Sequence, residues 1–281
     1  MKQPKPTGLP LVDGLAELNR PTLDDFIKAA SEYIVASVDM ESIIVEGKEV
    51  KPAARKKAGQ IRLSNALGRA LAADLQEAWP EIKATSGEIT VSGALRSSQI
   101  DVVEMTQLDG LKLAVELKPI NLAVGRAIWN RFGDIRVTAV STHLKYPFAV
   151  AGGVLTIPTV EWGASKAAPG GEWRSTEHLI ARLCELLRRA GGRRREDDAP
   201  HRLEAVAVVA FDPLTSAMRT DLPPPGLGLT WKEAVASLVE AYVERFPPAD
   251  VSLMSAAGGS ADEADEQLAD ERLGLSGDDA E

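Results

Sequence analysis

An Asp-Gly pair, Asp109-Gly110, stands between two apolar-rich runs, Ile100 to Gln107 and Leu111 to Lys118. A two-residue Asp-Gly so flanked is the strongest short-range signal for a β-hairpin. A type I′ turn there sets the register of everything on either side. Counting outward from Leu108 opposite Leu111, Val103 falls opposite Glu116 and Asp101 opposite Lys118, while Leu113, Val115 and Leu117 alternate onto the other face. Asp101, Glu116 and Lys118 are therefore expected on one face. Diagonal neighbours on paired strands lie about 7–8 Å apart at the backbone, so these two carboxylates can converge on one hard cation. Mg²⁺ suits such a pair, because it prefers oxygen ligands and is commonly held by one or two carboxylates, several waters and substrate phosphates. Lys118 would then orient an attacking water as the ammonium, or deprotonate it as the neutral amine that burial favours. A hairpin with a solvated outer face carries acids and bases at the same spacing, so spacing alone leaves both readings open.

An Asp near the start of one strand, followed fifteen residues later by Glu-x-Lys at the end of an apolar strand and then by a helix, resembles the PD-(D/E)xK nuclease superfamily. Many type II restriction endonucleases share that fold. Here the signature reads Ile100-Asp101 and Glu116-Leu117-Lys118, with isoleucine where the motif has proline. The resemblance extends from about Ile61 to Pro158. It implies an α/β fold with a restriction-endonuclease-like core, a mixed central sheet flanked by helices. It also implies Mg²⁺-dependent hydrolysis of double-stranded DNA, with Mn²⁺ able to substitute. Asp101, Glu116 and the Leu117 carbonyl would hold the metal, and Asp101, Glu116 and Lys118 would carry catalysis. Some members add an acid from the helix before the first core strand, and Glu77 is the residue so placed here. A chain that cuts both strands pairs two sites by two-fold symmetry, so a homodimer is expected. A repair, recombination or defence nuclease is the rival within the class, although the helix after Lys118 lacks the Gln-x-x-x-Tyr pattern of exonuclease relatives. A nucleic-acid-binding or assembly protein that kept the fold without cleaving is the rival outside it.

The net charge of −9 argues against a polyanion binder until its distribution is considered. Residues 256–281 hold nine acids against Arg272 alone, which leaves 32 acids and 31 bases in the rest of the chain. That segment is too acidic and polar to offset the entropy of ordering, and is expected to be a disordered tail. The remainder divides into an N-terminal arm and helix (1–57) and the nuclease core with its later elaborations (58–255). The single Cys184 excludes an internal disulfide and a cysteine-based zinc site, which fits a cytoplasmic protein. No stretch is long and apolar enough to span a bilayer, and no signal peptide opens the chain.

Along the chain, Met1 to Arg20 reads as an extended arm, and Pro21-Thr22 opens a helix to Ser37 with Asp24 and Asp25 in its first turn. Gly47 to Lys57 reads as a turn-rich basic loop whose Lys56 and Lys57 are either solvated or in contact with phosphate. Ile61 to Trp79 has helical periodicity and Glu88 to Leu95 reads as a strand. After Lys118 a helix is expected from Asn121 through Thr142, with Asn121, Arg126, Asn130 and Arg131 candidates for the DNA backbone. Pro147 to Pro158 and Leu203 to Phe211 read as buried strands, with Gly152-Gly153 marking a close approach of another backbone. The glycine-rich segment between Trp162 and Trp173 reads as a functional loop. Arg193 and Arg194, in a run of arginines beside Glu196, Asp197 and Asp198, belong either to a nucleic-acid contact or to a mixed, exposed turn. Thr230-x-x-Glu233 is a capping box for a last helix. His143, His178 and His201 stand in no protease or hydrolase motif.

Overall fold

The structure, a computed structural model, describes residues 6–164 and 168–248. The acidic segment 256–281 lies outside them. Residues through Phe246 form one unit. The N-terminal segment from residue 6 is not an extended arm, because the Asp13 carboxylate gathers the N–H groups of Thr7 at 3.1 Å and Gly8 at 3.0 Å. That bond set closes a turn into α1 (Pro10–Gly14) and seats Leu9, Val12 and Leu15 in the main core. Thr22 and Asp25 form a capping box at the start of α2 (Leu23–Ala36), satisfying two N–H groups that the first helical turn leaves orphaned.

A short hairpin, β1 (Ile43–Val45) and β2 (Lys48–Val50), then leads to α3 (Pro52–Ala78). The expected basic loop is therefore a strand and the opening turns of a helix. Pro52 sits in the first turn, where its fixed φ suits the helix and its missing N–H costs nothing. Lysine and arginine are good helix formers, which is why Lys56 and Lys57 continue inward to the apolar positions at Leu63, Leu67 and Leu71.

Three antiparallel strands follow: β3 (Thr85–Ser92), β4 (Ser97–Thr106) and β5 (Gly110–Pro119). Next come α4 (Val124–His143), β6 (Val150–Pro158), the hairpin β7 (Val160–Gly163) and β8 (Glu172–Ser175), α5 (Glu177–Ala190), β9 (Ala205–Asp212), β10 (Ala217–Met218) and α6 (Trp231–Arg245). The central sheet has six strands in the order β10-β9-β6-β5-β4-β3, with β5, β6 and β9 mutually parallel. At the base of the glycine-rich segment β7 and β8 set Trp162 opposite Trp173, their rings meeting edge to face at 5.5 Å, and residues 165–167 of that segment lie outside the described residues.

Alternation along the buried strands divides the molecule into layers. Leu113, Val115 and Leu117 of β5, with Ala205, Ala207 and Val209 of β9, face α1, α2, α3 and α6. Leu155 and Ile157 of β6, with Val206 and Val208 of β9, face α4 and α5. Gly152 and Gly153 admit these layers closely. A Cβ on Gly153 would stand 2.6 Å from Ile135 Cγ2 of α4, and one on Gly152 would stand 3.0 Å from Leu238 Cδ2 of α6. Helix side chains, rather than another backbone, make the close approach. Among the described residues no helix is long and apolar enough to cross a membrane.

Candidate active site

The hairpin that carries the acids does not have the expected two-residue turn. Thr106 pairs with Gly110 across a three-residue loop, in which Thr106 Oγ1 accepts the Asp109 N–H at 2.9 Å. Gly110 takes a φ of +71°, a conformation that glycine adopts without steric cost. A register shift between Glu104 and Met105 then aligns Val103 with Ala114 and Val102 with Val115. Asp101 thus comes opposite Glu116, two residues from the expected partner Lys118. A displacement of two preserves the face, so Asp101, Glu116 and Lys118 still point together, toward the α4 layer.

The regular pairing of β4 with β5 stops at Val102 and Val115, and a side chain takes over. Asp101 Oδ2 accepts the Leu117 N–H at 2.7 Å. A strand residue points its N–H and C=O to the same side, so the Leu117 carbonyl also faces Asp101. Lys118 Nζ pairs with Glu116 Oε1. The other oxygen, Glu116 Oε2, is buried and has no hydrogen-bond partner.

Comparison with the other buried acids of the sheet gives that orphan its meaning. Glu104, also on β4, accepts the Tyr242 hydroxyl at 2.7 Å on Oε1 and the Lys83 N–H at 2.8 Å on Oε2. Glu204, just before β9, receives Arg193 Nη1 at 2.8 Å and Arg245 Nη1 at 2.7 Å on Oε1. Its Oε2 takes the Ala151 N–H at 2.7 Å and contacts His143 Nε2 at 3.2 Å. Both acids are saturated structural groups. Glu116 is 6% exposed, yet half of its carboxylate is left unmatched, and an ionised carboxylate can only accept or coordinate.

Burial raises the pKa of Glu116, with Lys118 opposing and the negative charges of Asp101 and Asp134 reinforcing. Burial likewise raises the pKa of Asp101, partly countered by the Leu117 N–H and Lys118 and augmented by Glu88. Two desolvated acids that repel each other favour a bound cation, which would offset both the burial and the repulsion. Among the described residues no three acidic, histidine or cysteine side chains converge on a metal position. Asp101, Glu116 Oε2 and the Leu117 carbonyl are the hard oxygens that could hold a cation, were its remaining positions taken by waters and substrate oxygens.

The remaining sequence candidates are scattered. Glu77 does not join the site; it is exposed near the end of α3 and pairs with Arg20. Asn121 is buried, with its Oδ1 unpartnered, and presents no surface to a duplex. Arg126, Asn130 and Arg131 are exposed on α4, and Arg131 pairs with Asp134 at 3.0 Å. Lys57 is exposed on the first turns of α3, whereas Lys56 Nζ donates to the Ser37 carbonyl at 2.9 Å. Arg193 is a core residue, 2% exposed and held by Glu204. Arg194 is exposed beside it, and that cluster meets α4 at its last residue, His143. Asp134 and Glu88 went unnoticed in the sequence. The only signal for Asp134 is its helical i,i+3 spacing from Arg131, and Glu88 reaches Asp101 through an irregular stretch of β3 between Ser86 and Ile89. Comparison with protein-family models, curated proteins and solved structures finds no match to this chain.

Proposed function

We propose that this chain is a metal-dependent endonuclease that hydrolyses phosphodiester bonds in double-stranded DNA at a specific site, in the manner of a type II restriction enzyme. The observation that carries the reading is the buried, unmatched Glu116 Oε2, set beside Asp101 and Lys118 where β4 and β5 part. The order of elements supports it. A helix (α3), three antiparallel strands (β3 to β5), a second helix on the opposite face (α4) and a parallel strand (β6) make a mixed sheet flanked by helices, which is compatible with the fold the resemblance implies.

Asp101, Glu116 and the Leu117 carbonyl would hold Mg²⁺, which when bound supplies a Lewis acid for the phosphoryl oxygens and lowers the pKa of a coordinated water. Asp101 is preoriented by the Leu117 N–H, so the carboxylate pair needs little rearrangement. Lys118, only 18% exposed at its side chain, is held by Glu116, and its remaining N–H donors would be free for the attacking water and a nonbridging phosphate oxygen. Water attacks phosphorus, the bond to the leaving sugar oxygen breaks, the proton lost by water passes to solvent, and the leaving oxygen takes up a proton from solvent. A homodimer would place two such centres across the duplex, one for each strand.

Incubation of the protein with plasmid and phage DNA in Mg²⁺, with and without chelator, tests the reading. Discrete fragments formed only in the presence of metal are the expected result. Intact DNA under both conditions would refute it.

A further inference from the structure

The sheet-facing stripe of α4 contains a residue of the wrong kind. Val124, Ile128, Ile135, Thr138 and Thr142 recur at helical spacing and are all buried. Arg131 falls in the same stripe, between Ile128 and Ile135, yet its side chain is 48% exposed. An arginine on the inward side of a helix stays solvated only where the helix overhangs open space. At Arg131, α4 therefore stands over a gap.

Register shows what lies under that gap. α4 begins beside the end of β6, where the Glu161 carboxylate accepts the Val124 N–H at 2.6 Å. It finishes beside the start of β6, where His143 meets Glu204, the acceptor of the Ala151 N–H. The helix thus runs against β5 and β6. Ile135 packs on Gly153, which is the ladder partner of Glu116. One turn back along α4, about 6 Å at 1.5 Å per residue, stands Arg131. Two residues forward along β5, a similar distance of about 6.6 Å, stands Lys118, whose ladder partner Leu155 faces α4. Arg131 is level with Lys118, above the place where β4 has left β5.

Most of the guanidinium is unused. Nη1 donates to Asp134 Oδ2 at 3.0 Å, an exposed i,i+3 pair of a kind that holds weakly. A phosphate, which a guanidinium grips through two parallel hydrogen bonds, competes well with such a partner. The site also needs a cation facing its substrate. Asp101, Glu116 and Asp134 all repel a phosphate, Asp134 lying near enough for its charge to act on Glu116, and Lys118 is already paired with Glu116.

We propose that Arg131 binds the phosphate to be cleaved, from the α4 side of the cleft, and that Asp134 holds the guanidinium until DNA arrives. This rests on the nuclease reading. Arg131 would stabilise charge on the nonbridging oxygens, while Asp101 and Glu116 keep the metal.

The test compares full-length wild type, Arg131→Gln, Arg131→Lys and Asp134→Asn, with folding checked by circular dichroism, duplex binding read by anisotropy without divalent metal, and cleavage followed in Mg²⁺ at saturating protein. Arg131→Gln should weaken duplex binding on the order of 10- to 100-fold, the range of a charge-assisted hydrogen bond, and lower the slope of log affinity against log salt by about 1. Its cleavage at saturation should slow by about 10²-fold. Arg131→Lys should keep the slope and lose part of the affinity and rate, because an ammonium lacks the planar fork. Asp134→Asn should tighten duplex binding, and the gain should vanish when Arg131 is also glutamine. Weaker binding by Arg131→Gln with a wild-type rate at saturation would overturn the assignment to the scissile phosphate. Wild-type binding, slope and rate in Arg131→Gln would overturn the contact altogether, while a cleaving wild type leaves the nuclease reading intact. A wild type that neither binds duplex nor cleaves it would overturn both.

Discussion

Asp101 Oδ2 accepts the backbone N–H of Leu117 at 2.7 Å, occupying the place where a carbonyl of β4 would continue the sheet. One bond thereby takes over from the ladder and fixes the acid on Leu117. The substitution Asp101→Asn retains an oxygen that can accept this N–H but removes the charge. It should leave the fold intact, as judged by circular dichroism, and weaken Mn²⁺ binding at least about tenfold, since loss of a charge-assisted contact costs about 1.5–3 kcal/mol. Wild-type Mn²⁺ affinity in Asp101→Asn would remove Asp101 from the ligand set.

The raised pKa of Glu116 predicts a stability cost with a defined sign. An acid whose folded pKa lies above its unfolded value contributes stability that is complete below the unfolded value, ordinarily 4.5, and lost as pH rises through the folded one. Glu116→Gln should therefore be more stable than wild type at pH 8 in the absence of metal, by about 1 kcal/mol. The difference should shrink toward pH 4. Millimolar Mg²⁺ should raise the Tm of wild type and leave that of the variant unmoved. Urea unfolding at the two pH values measures the first effect, and a Glu116→Gln variant less stable at pH 8 would contradict it.

Glu204 makes the opposite prediction. Burial pushes its pKa up, but His143, Arg245 and the Ala151 N–H outweigh burial and leave it lowered. Its contribution is present above about pH 4.5, the ordinary glutamate value, and is lost as pH falls through the folded value. Glu204→Ala and Arg193→Ala each break a buried ion pair and should cost about 3–5 kcal/mol. The duplex affinity of the molecules that remain folded should not change. A selective loss of DNA binding by Arg193→Ala, at unaltered stability, would restore Arg193 as a nucleic-acid contact.

The fit of α4 against the sheet can be tested at Gly153. Gly153→Ala drives a methyl to within 2.6 Å of Ile135 Cγ2 and should destabilise by about 1–3 kcal/mol, the usual cost of overpacking. Ile135→Val, which trims the opposing side chain, should recover part of that loss in the double variant, while acting as a mild destabiliser by itself. Additive losses in the double variant would mean that the two residues do not meet.

What the sequence showed and what it concealed follow from the range of each signal. The common face of Asp101, Glu116 and Lys118 was readable because strand alternation has a period of two, and the register displacement of two residues leaves parity untouched. The displacement itself comes from the Thr106–Asp109 bond and a bulge near Glu104, which an Asp-Gly pair does not announce. Partnerships across long separations were not readable. Nothing local tells that Arg193 rather than Arg194 is drawn inward, since its partner Glu204 lies in another element, and nothing near Glu77 points to Arg20, 57 residues away. Glu104 and Glu116 look alike along their strands; only the tertiary fold saturates one and leaves an oxygen of the other bare.

The most direct test of the account is cleavage of supercoiled plasmid in Mg²⁺ by wild type, Glu116→Ala and Lys118→Ala, at matched concentrations of folded protein. Wild type should linearise the DNA at discrete positions, and both variants should lose at least about 10²-fold in rate, the scale on which removing one stabilising group slows chemistry. Cleavage by Glu116→Ala at the wild-type rate would show that the carboxylate with the unmatched oxygen is not where the reaction takes place.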